Sequence, residues 1–226
     1  MSVITTRISG SRQTAGKMPL MPSEANQLNQ AQNFIRSHSK GELNFDDNVQ
    51  PLGYIVSPDG RLVAPVMVAV LHSIQTVLSI PDEGDPDLAM LLSLEELPAE
   101  EQRGSLPDRW RIYHGDPPDV NWAYLNIEMA RLGEFVLDGE AFDLSNPLSD
   151  QEASAVKTIN QNPAIIQRVC LSILKVDIDS PVMVGLDPAG FDIRGTFSVF
   201  RIPTDHLMSS AEDAVTTFHG LDPQHG

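Results

Sequence analysis

Two four-residue segments of the sequence combine proline and glycine in the way that a type I turn requires. They are SPDG at 57–60 and DPAG at 187–190, and both have Pro in the second position and Gly in the fourth. The flanking segments are rich in Val, Ile and Leu, which are common in strands. We therefore predict two β-hairpins, one in each half of the chain, and antiparallel sheets built around them.

The first half of the chain has the pattern of a small antiparallel barrel. Besides the hairpin around 57–60, strands are predicted over 74–80, 122–130 and 134–137, where apolar and polar residues alternate. This number and spacing of strands is typical of a barrel. Alternation in the strand 122–130 places three residues on one face: Leu125, Ile127 and Met129.

Two helices and one irregular segment are predicted to accompany these strands. Residues 23–38 have apolar side chains at helical spacing. A second helix is predicted over 85–92, with Asp85 as its cap and Pro86 in its first turn. Four prolines between 98 and 118 predict a segment without regular structure.

The pattern changes after Asn146. Residues 149–152 (SDQE) form a capping box, which predicts a helix to about Asn160, and Pro163 begins another helix. The hairpin around 187–190, a strand ending near residue 203 and a helix over 209–218 complete the order helix, helix, three strands, helix. The second half is therefore predicted to be a small α+β module.

Charge and cysteine content exclude several classes of function. The formal net charge is -16 and the pI is about 4.5, whereas nucleic-acid binding requires a basic surface. The single cysteine, Cys170, excludes an internal disulfide and a multi-cysteine metal site, and its apolar neighbours indicate a buried thiol. This use of cysteine fits the reducing cytoplasm, where we expect the protein to act.

No membrane segment is predicted. The longest apolar run, 62–71, contains Pro65 and is too short to span a bilayer. Residues 1–22 lack the apolar core of a secretory signal and carry Arg7, Arg12 and Lys17 without any acid. We expect a disordered basic tail there, and an organelle transit peptide is the alternative.

Residues 181–203 resemble part of a known module. The segments LDPAGFDIR at 186–194 and RIP at 201–203 are similar to the C-terminal module of HugZ-type heme-utilisation proteins and their plant and cyanobacterial relatives. In that family an FMN-binding split barrel of the pyridoxamine-phosphate-oxidase type precedes the module. Segments 53–66 (GYIVSPDGRLVAPV) and 127–142 (IEMARLGEFVLDGEAF) look like strands of that barrel.

The resemblance implies an α+β fold: an antiparallel split β-barrel domain over 23–146 and a C-terminal module over 147–226. It also implies a homodimer with a cofactor cleft at the dimer interface, and heme or FMN as cofactor. The family's H-M-N-x-D-H pattern is altered here, because Thr158, Asn162 and Pro163 replace both histidines and the acid, and its asparagine is retained as Asn160. The role of those histidines therefore does not carry over.

FMN is the less expected cofactor. After the third predicted strand the chain carries four acids, which would repel a dianionic phosphate: Asp82, Glu83, Asp85 and Asp87. We therefore expect FMN to bind weakly or not at all.

The segment 108–115 (DRWRIYHG) is the main candidate site. Arg109 and Arg111 could hold carboxylates such as heme propionates, and His114, His72 or His219 could ligate iron. The alternative is that both arginines pair with the protein's own acids, that His72 lies at a sheet edge and that His219 is solvated. Arg194 and Arg201 are expected to form ion pairs with Asp187 and Asp192 inside the module.

Three functions remain open at this point. The first is heme binding, or a flavin-related activity, in heme utilisation. The second is a non-catalytic dimeric binding or regulatory protein that lost its cofactor site. The third is a redox enzyme of specialised metabolism, so any catalysis is expected to be that of an oxidoreductase. The sequence contains no motif of hydrolases or nucleotide-binding motors.

Overall fold

The computed structural model describes residues 22–81 and 87–224. The basic tail and three of the acids expected to oppose FMN (Asp82, Glu83 and Asp85) lie outside these ranges. No helix within them is both long and apolar enough to cross a bilayer. The fold is α+β, as predicted, with a curled antiparallel sheet, a second small sheet and helices around both.

The large sheet rolls up because its two ends are consecutive in the chain. Seven of its strands follow the hydrogen-bonded order β2-β1-β5-β6-β7-β4-β3, and β8 pairs with β7 outside this path. Only Tyr54 separates β2 from β3, so the first and last strands of the path must lie together. The strands are β1 (Lys40–Phe45), β2 (Asn48–Gly53), β3 (Ile55–Val56), β4 (Leu62–Val66), β5 (Thr76–Ile80), β6 (Leu88–Glu96), β7 (Asn121–Leu132) and β8 (Phe135–Asp138).

Two predictions in this half are wrong. The helix predicted over 85–92 is largely strand β6, because Leu88, Met90 and Leu92 alternate into the core between β5 and β7. The proline-rich segment contains helix α3 (Ser105–His114), since Pro107 falls in its first turn, where no intrahelical N–H is required. The other helices here are α1 (Pro22–Ser37) and α2 (Val68–Leu71).

A β-bulge reverses the faces to which the side chains at the end of β7 point. The register between β6 and β7 shifts at Glu128, which has no partner in the ladder. As a result Met129 is 47% exposed, whereas Ala130 is buried in the barrel core. The predicted alternation is therefore wrong from Met129 onward.

The C-terminal module has the predicted element order. It comprises α4 (Ser149–Ile159), α5 (Pro163–Leu174), β9 (Val182–Asp187), β10 (Gly190–Arg194), β11 (Val199–Pro203) and α6 (Ala211–Gly220). The Ala189 N–H donates to the Asp187 carboxylate at 2.8 Å in the predicted turn, and Cys170 is fully buried. The predicted capping box does not form. Leu148 is the N-cap of α4, and the Asn146 side chain accepts the Leu148 N–H instead.

One half of the barrel's outer surface is covered and the other half is open. Helix α3 and Val184 of the module cover the first half through Trp110 and Tyr113, which pack with Trp122 and Tyr124. On the second half lies an apolar stripe, in which Val77, Leu91 and Met129 are directly opposite one another on β5, β6 and β7. Val49 is separated from them by Asn44 of β1, and Val136 lies opposite Arg131. The stripe consists of Val49, Val77, Leu91, Met129 and Val136.

We expect a second copy of the chain to cover this apolar stripe, because patches of this kind on a sheet face usually mark protein contacts. Light scattering at micromolar concentration should give twice the chain mass of 24.7 kDa. Met129→Glu should shift the protein to the monomer mass. Val120→Glu is the matched control, since Val120 is 81% exposed outside the stripe. A wild-type protein of monomer mass would contradict the expectation.

Candidate functional site

Helix α3 joins the barrel to the C-terminal module. On the barrel side, the Trp110 indole N–H donates to the Gly53 carbonyl at 2.9 Å, and its ring meets Trp122 edge-on at 5.7 Å between centroids. On the module side, Arg109 and Tyr113 point toward α4 and the small sheet. The residues that the sequence marked as a loop site are therefore part of the contact between the two halves.

The strongest contact of α3 with the module is an ion pair. The Arg109 guanidinium donates to both oxygens of Glu152 on α4, at 2.7 and 2.9 Å. Glu152 is 7% exposed and also accepts the Leu186 N–H at 2.9 Å. Although burial lowers the Arg109 pKa, its neighbours Tyr113 and Glu152 raise it above its usual value, so the guanidinium stays charged.

A second set of polar contacts continues from Tyr113 into the small sheet. The Tyr113 hydroxyl donates to Asp192 at 2.8 Å, and Arg201 pairs with Asp192 at 2.9 Å and with Asp187 at 2.5 Å. Burial, followed by the charge of Asp192, raises the Tyr113 pKa well above 10, so the phenol keeps its proton. The predicted ion pairs of Arg201 are confirmed. Arg194 instead donates to the Ile112 carbonyl of α3.

These groups surround a small cavity of about 50 Å³. Three arginines (Arg36, Arg109 and Arg201) and three acids (Glu152, Asp187 and Asp192) line it, so its charges balance. The Arg109 Nε faces no hydrogen-bond partner among the described residues. The cavity has room for water but not for an organic ligand. We therefore conclude that these residues hold the barrel and the C-terminal module together.

A much larger cleft lies between β1–β2, the end of α3 and the connection from β10 to β11. Its volume is about 650 Å³. The barrel side presents Gly53, Trp110 and His114, and the module side presents Arg194 and Phe197. We refer to it as the interlobe cleft.

The interlobe cleft has an unusual charge for so acidic a protein. Its charged lining residues are Lys40, Arg194 and Asp179, with two cations against one acid. No carboxylate within residues 22–81 and 87–224 forms an ion pair with Lys40 or Arg194. Phe197, at the rim, is 89% exposed. The cleft thus combines unpaired cations with aromatic surface.

His114 lines the interlobe cleft but is fixed by its surroundings. Its Nε2 lies 3.0 Å from the Tyr54 carbonyl, which only accepts, so Nε2 carries the proton. Its ring packs on Gly53, where an added Cβ would lie only 3.0 Å from Nδ1. Burial, with a smaller contribution from Lys40, lowers the His114 pKa to about 4. The ring is therefore neutral at pH 7.

The five predicted site residues do not meet in one place. His114 lines the interlobe cleft and Arg109 the small cavity. Arg111 pairs with Asp108 at 2.9 Å on the surface. His72 follows the last residue of α2 and is exposed, so it does not lie in a barrel strand. His219 lies in α6, where its buried Nε2 contacts no hydrogen-bond partner in the described part of the chain.

Sequence reasoning missed two residues of the cleft, Lys40 and Phe197, because they come from distant segments without a shared motif. Arg194 is in the resembling segment and was interpreted as an ion-pair partner. Asn160, retained from the family's histidine motif, has a structural role. Its side chain makes two hydrogen bonds to the Met183 backbone, at 2.8 and 2.9 Å, which tie α4 to β9.

Glu152→Ala should lower the free energy of unfolding by about 3 kcal/mol, because it leaves a largely buried guanidinium and the Leu186 N–H without their acceptor. Asp108→Ala removes the exposed partner of Arg111 and should cost at most about 1 kcal/mol. Urea unfolding of both variants measures the difference. Equal losses would show that the Arg109–Glu152 pair does not stabilise the contact.

His114 should make stability depend on pH. Because its pKa is about 4 in the folded protein and near 6.5 when unfolded, its contribution is complete above pH 6.5 and is lost as pH falls toward 4. His114→Gln should reduce the stability difference between pH 7.5 and 4.5 by on the order of 2 kcal/mol. His72→Gln, at an exposed site, should leave it unchanged, and urea unfolding at both pH values tests this. An unchanged difference in His114→Gln would contradict the assignment.

Comparison with known proteins supports the fold. No family model matches the sequence, and no curated protein is similar to it. A protein of unknown function from Agrobacterium tumefaciens has a similar structure, with a TM-score of 0.67 and 14% identity over 92% of this chain and 99% of that one. A heme binding protein from Mycobacterium smegmatis aligns at a TM-score of 0.41 and 18% identity, over 91% and 98% of the chains. The first likeness shows the fold, and the HugZ-type family stays a prediction.

Proposed function

We propose that this protein binds a planar small molecule that carries carboxylates, of the heme class, in the interlobe cleft. The observation that carries the proposal is the pair of cations at this cleft, Lys40 and Arg194, which form no ion pair with the described acids. A charge-assisted contact contributes about 1.5–3 kcal/mol, and two such contacts suit a dicarboxylate.

The size and surface of the interlobe cleft support the same class of ligand. Its volume of about 650 Å³ lies within the range of small-molecule sites. Phe197, which is 89% exposed, offers an aromatic face from the module side on which a flat ring could stack, whereas Trp110 is only 3% exposed. The formal net charge of -16 makes most of the surface repel anions. A cleft with more cations than acids therefore favours anions that the rest of the surface repels.

The geometry favours binding over catalysis. Tyr113 and His114, the lining groups suited to transfer a proton at neutral pH, are both held in hydrogen bonds within the protein. Tyr113 keeps its proton because its pKa is raised, and the lowered pKa of His114 keeps it neutral. We therefore propose a non-catalytic binding or carrier role, which combines the heme-class ligand of the first function left open by the sequence with the absence of catalysis in the second.

Absorbance titration with hemin tests this proposal. Wild-type protein should bind it saturably, and Lys40→Ala or Arg194→Ala should each weaken binding by roughly ten- to a hundredfold. Arg111→Ala is the matched control, because Arg111 is also an exposed cation but does not line the cleft. Melting curves should first show that each variant is folded. Loss of affinity in Arg111→Ala alone would instead indicate that the ligand binds on the outer face of α3.

A further inference from the structure

We infer that the interlobe cleft selects the metal-bearing form of its ligand, because the Nδ1 atom of His114 is placed to ligate the metal at the centre of the ring. This inference rests on the proposed function and deepens it, since it separates a metalloporphyrin such as heme from the same ring without metal. The observation behind it is the different use of the two ring nitrogens of His114.

One nitrogen of His114 is engaged by the backbone, and this leaves the other available. Nε2 lies 3.0 Å from the Tyr54 carbonyl, which only accepts, so Nε2 carries the proton and Nδ1 keeps its lone pair. No group within residues 22–81 and 87–224 forms a hydrogen bond with Nδ1, and Nδ1 itself is not buried. A histidine that binds a metal through one nitrogen commonly donates its other N–H to a carbonyl in this way.

The contacts of the His114 ring leave the lone pair of Nδ1 clear. A Cβ added to Gly53 would lie at similar distances from three ring atoms: 3.0 Å from Nδ1, 3.1 Å from Cε1 and 3.3 Å from Cγ. Gly53 therefore packs on the face of the ring, whereas the lone pair lies in the ring plane. Trp110 also packs on this ring, with 4.6 Å between the centroids. The ring is thus held in place while Nδ1 remains accessible.

His114 is also the lining side chain best suited to ligate iron. Among the described residues that line the cleft it is the single imidazole, and none of them is a cysteine or a methionine. The Tyr113 hydroxyl donates to Asp192 at 2.8 Å, and the carboxylate of Asp179 is a ligand that harder ions prefer. Imidazole is a common protein ligand of heme iron. The donors present therefore fit one axial bond to the metal.

The interlobe cleft then offers a separate group for each part of a metalloporphyrin. Lys40 and Arg194 suit the carboxylates, the exposed ring of Phe197 suits the face of the porphyrin, and His114 suits the metal. A ring without metal keeps the first two kinds of contact and loses the third. It should therefore bind more weakly than the metal-bearing ring.

The test compares hemin with protoporphyrin IX by absorbance and fluorescence titration. Wild-type protein should bind hemin at least about tenfold more tightly and give the spectrum of histidine-ligated iron. His114→Gln should lose this spectrum and bind hemin no more tightly than protoporphyrin IX, whose own affinity should not change. The Gln amide can still donate to the Tyr54 carbonyl but has no ring nitrogen. His72→Gln, at an exposed histidine outside the cleft, is the matched control and should behave as the wild type does.

The outcomes separate the inference from the proposed function. Equal affinities of the wild type for hemin and protoporphyrin IX would overturn the inference and leave the proposed function standing. A histidine-ligated spectrum that persists in folded His114→Gln would do the same. Failure of both ligands to bind would overturn the proposed function and the inference with it.

A second set of variants decides the matter if melting curves show that His114→Gln is unfolded. The chain has six histidines, and each of the others can be replaced singly by Gln. The histidine-ligated spectrum should persist in every one of these variants. Its loss in any folded one would overturn the inference, because the iron would then be held by that histidine.

Discussion

The ion pair between Arg109 and Glu152 is the contact on which the arrangement of the molecule depends. It joins α3, which packs on the barrel, to α4, which begins the module, and both carboxylate oxygens are used. A pair this enclosed gains little net stability over an apolar contact of the same size, but removing one partner is costly. Its main effect is therefore on geometry, because only one placement of the module satisfies the guanidinium, the carboxylate and the Leu186 N–H together.

The interlobe cleft is a consequence of that placement. With α3 fixed, its last turn carries His114 and Trp110 to one wall, and the connection from β10 to β11 forms the other. Gly185 permits the close approach of the halves, because a Cβ there would lie 1.9 Å from the Tyr113 hydroxyl. A larger side chain at this position would push the module away from α3 and change the shape of the cleft. The small sheet is thus part of the site as well as a support for it.

The hairpins could be predicted because they depend on local chemistry. Strand β6 could not, because its periodicity is ambiguous, and the contacts between the halves could not, because their partners are distant in the chain. The turns at 57–60 and 187–190 depend only on their own residues. Residues 88–92 (LAMLL) satisfy both helical and strand spacing, and pairing with β5 and β7 decides for the strand. Glu152 matched a capping box, yet its partner Arg109 lies 43 residues earlier in the chain. The cleft could not be predicted, because Lys40 and Phe197 are brought together only by the contact between the two halves. No local sequence pattern indicates that contact.

The distribution of charge follows from the same contacts. In a chain with 31 acids and 15 arginines and lysines, a buried cation has acids available as partners, and Arg109 and Arg201 are both matched within hydrogen-bond distance. Because these acids are paired at the contact between the halves, they do not neutralise the cations of the cleft beside it. Arg194 turns to a backbone carbonyl, and Lys40 extends into solvent. We propose that a cleft with unmatched positive charge beside a neutral internal network binds an anion without drawing on the Arg109–Glu152 pair, so that this fold separates binding from its main interlobe ion pair.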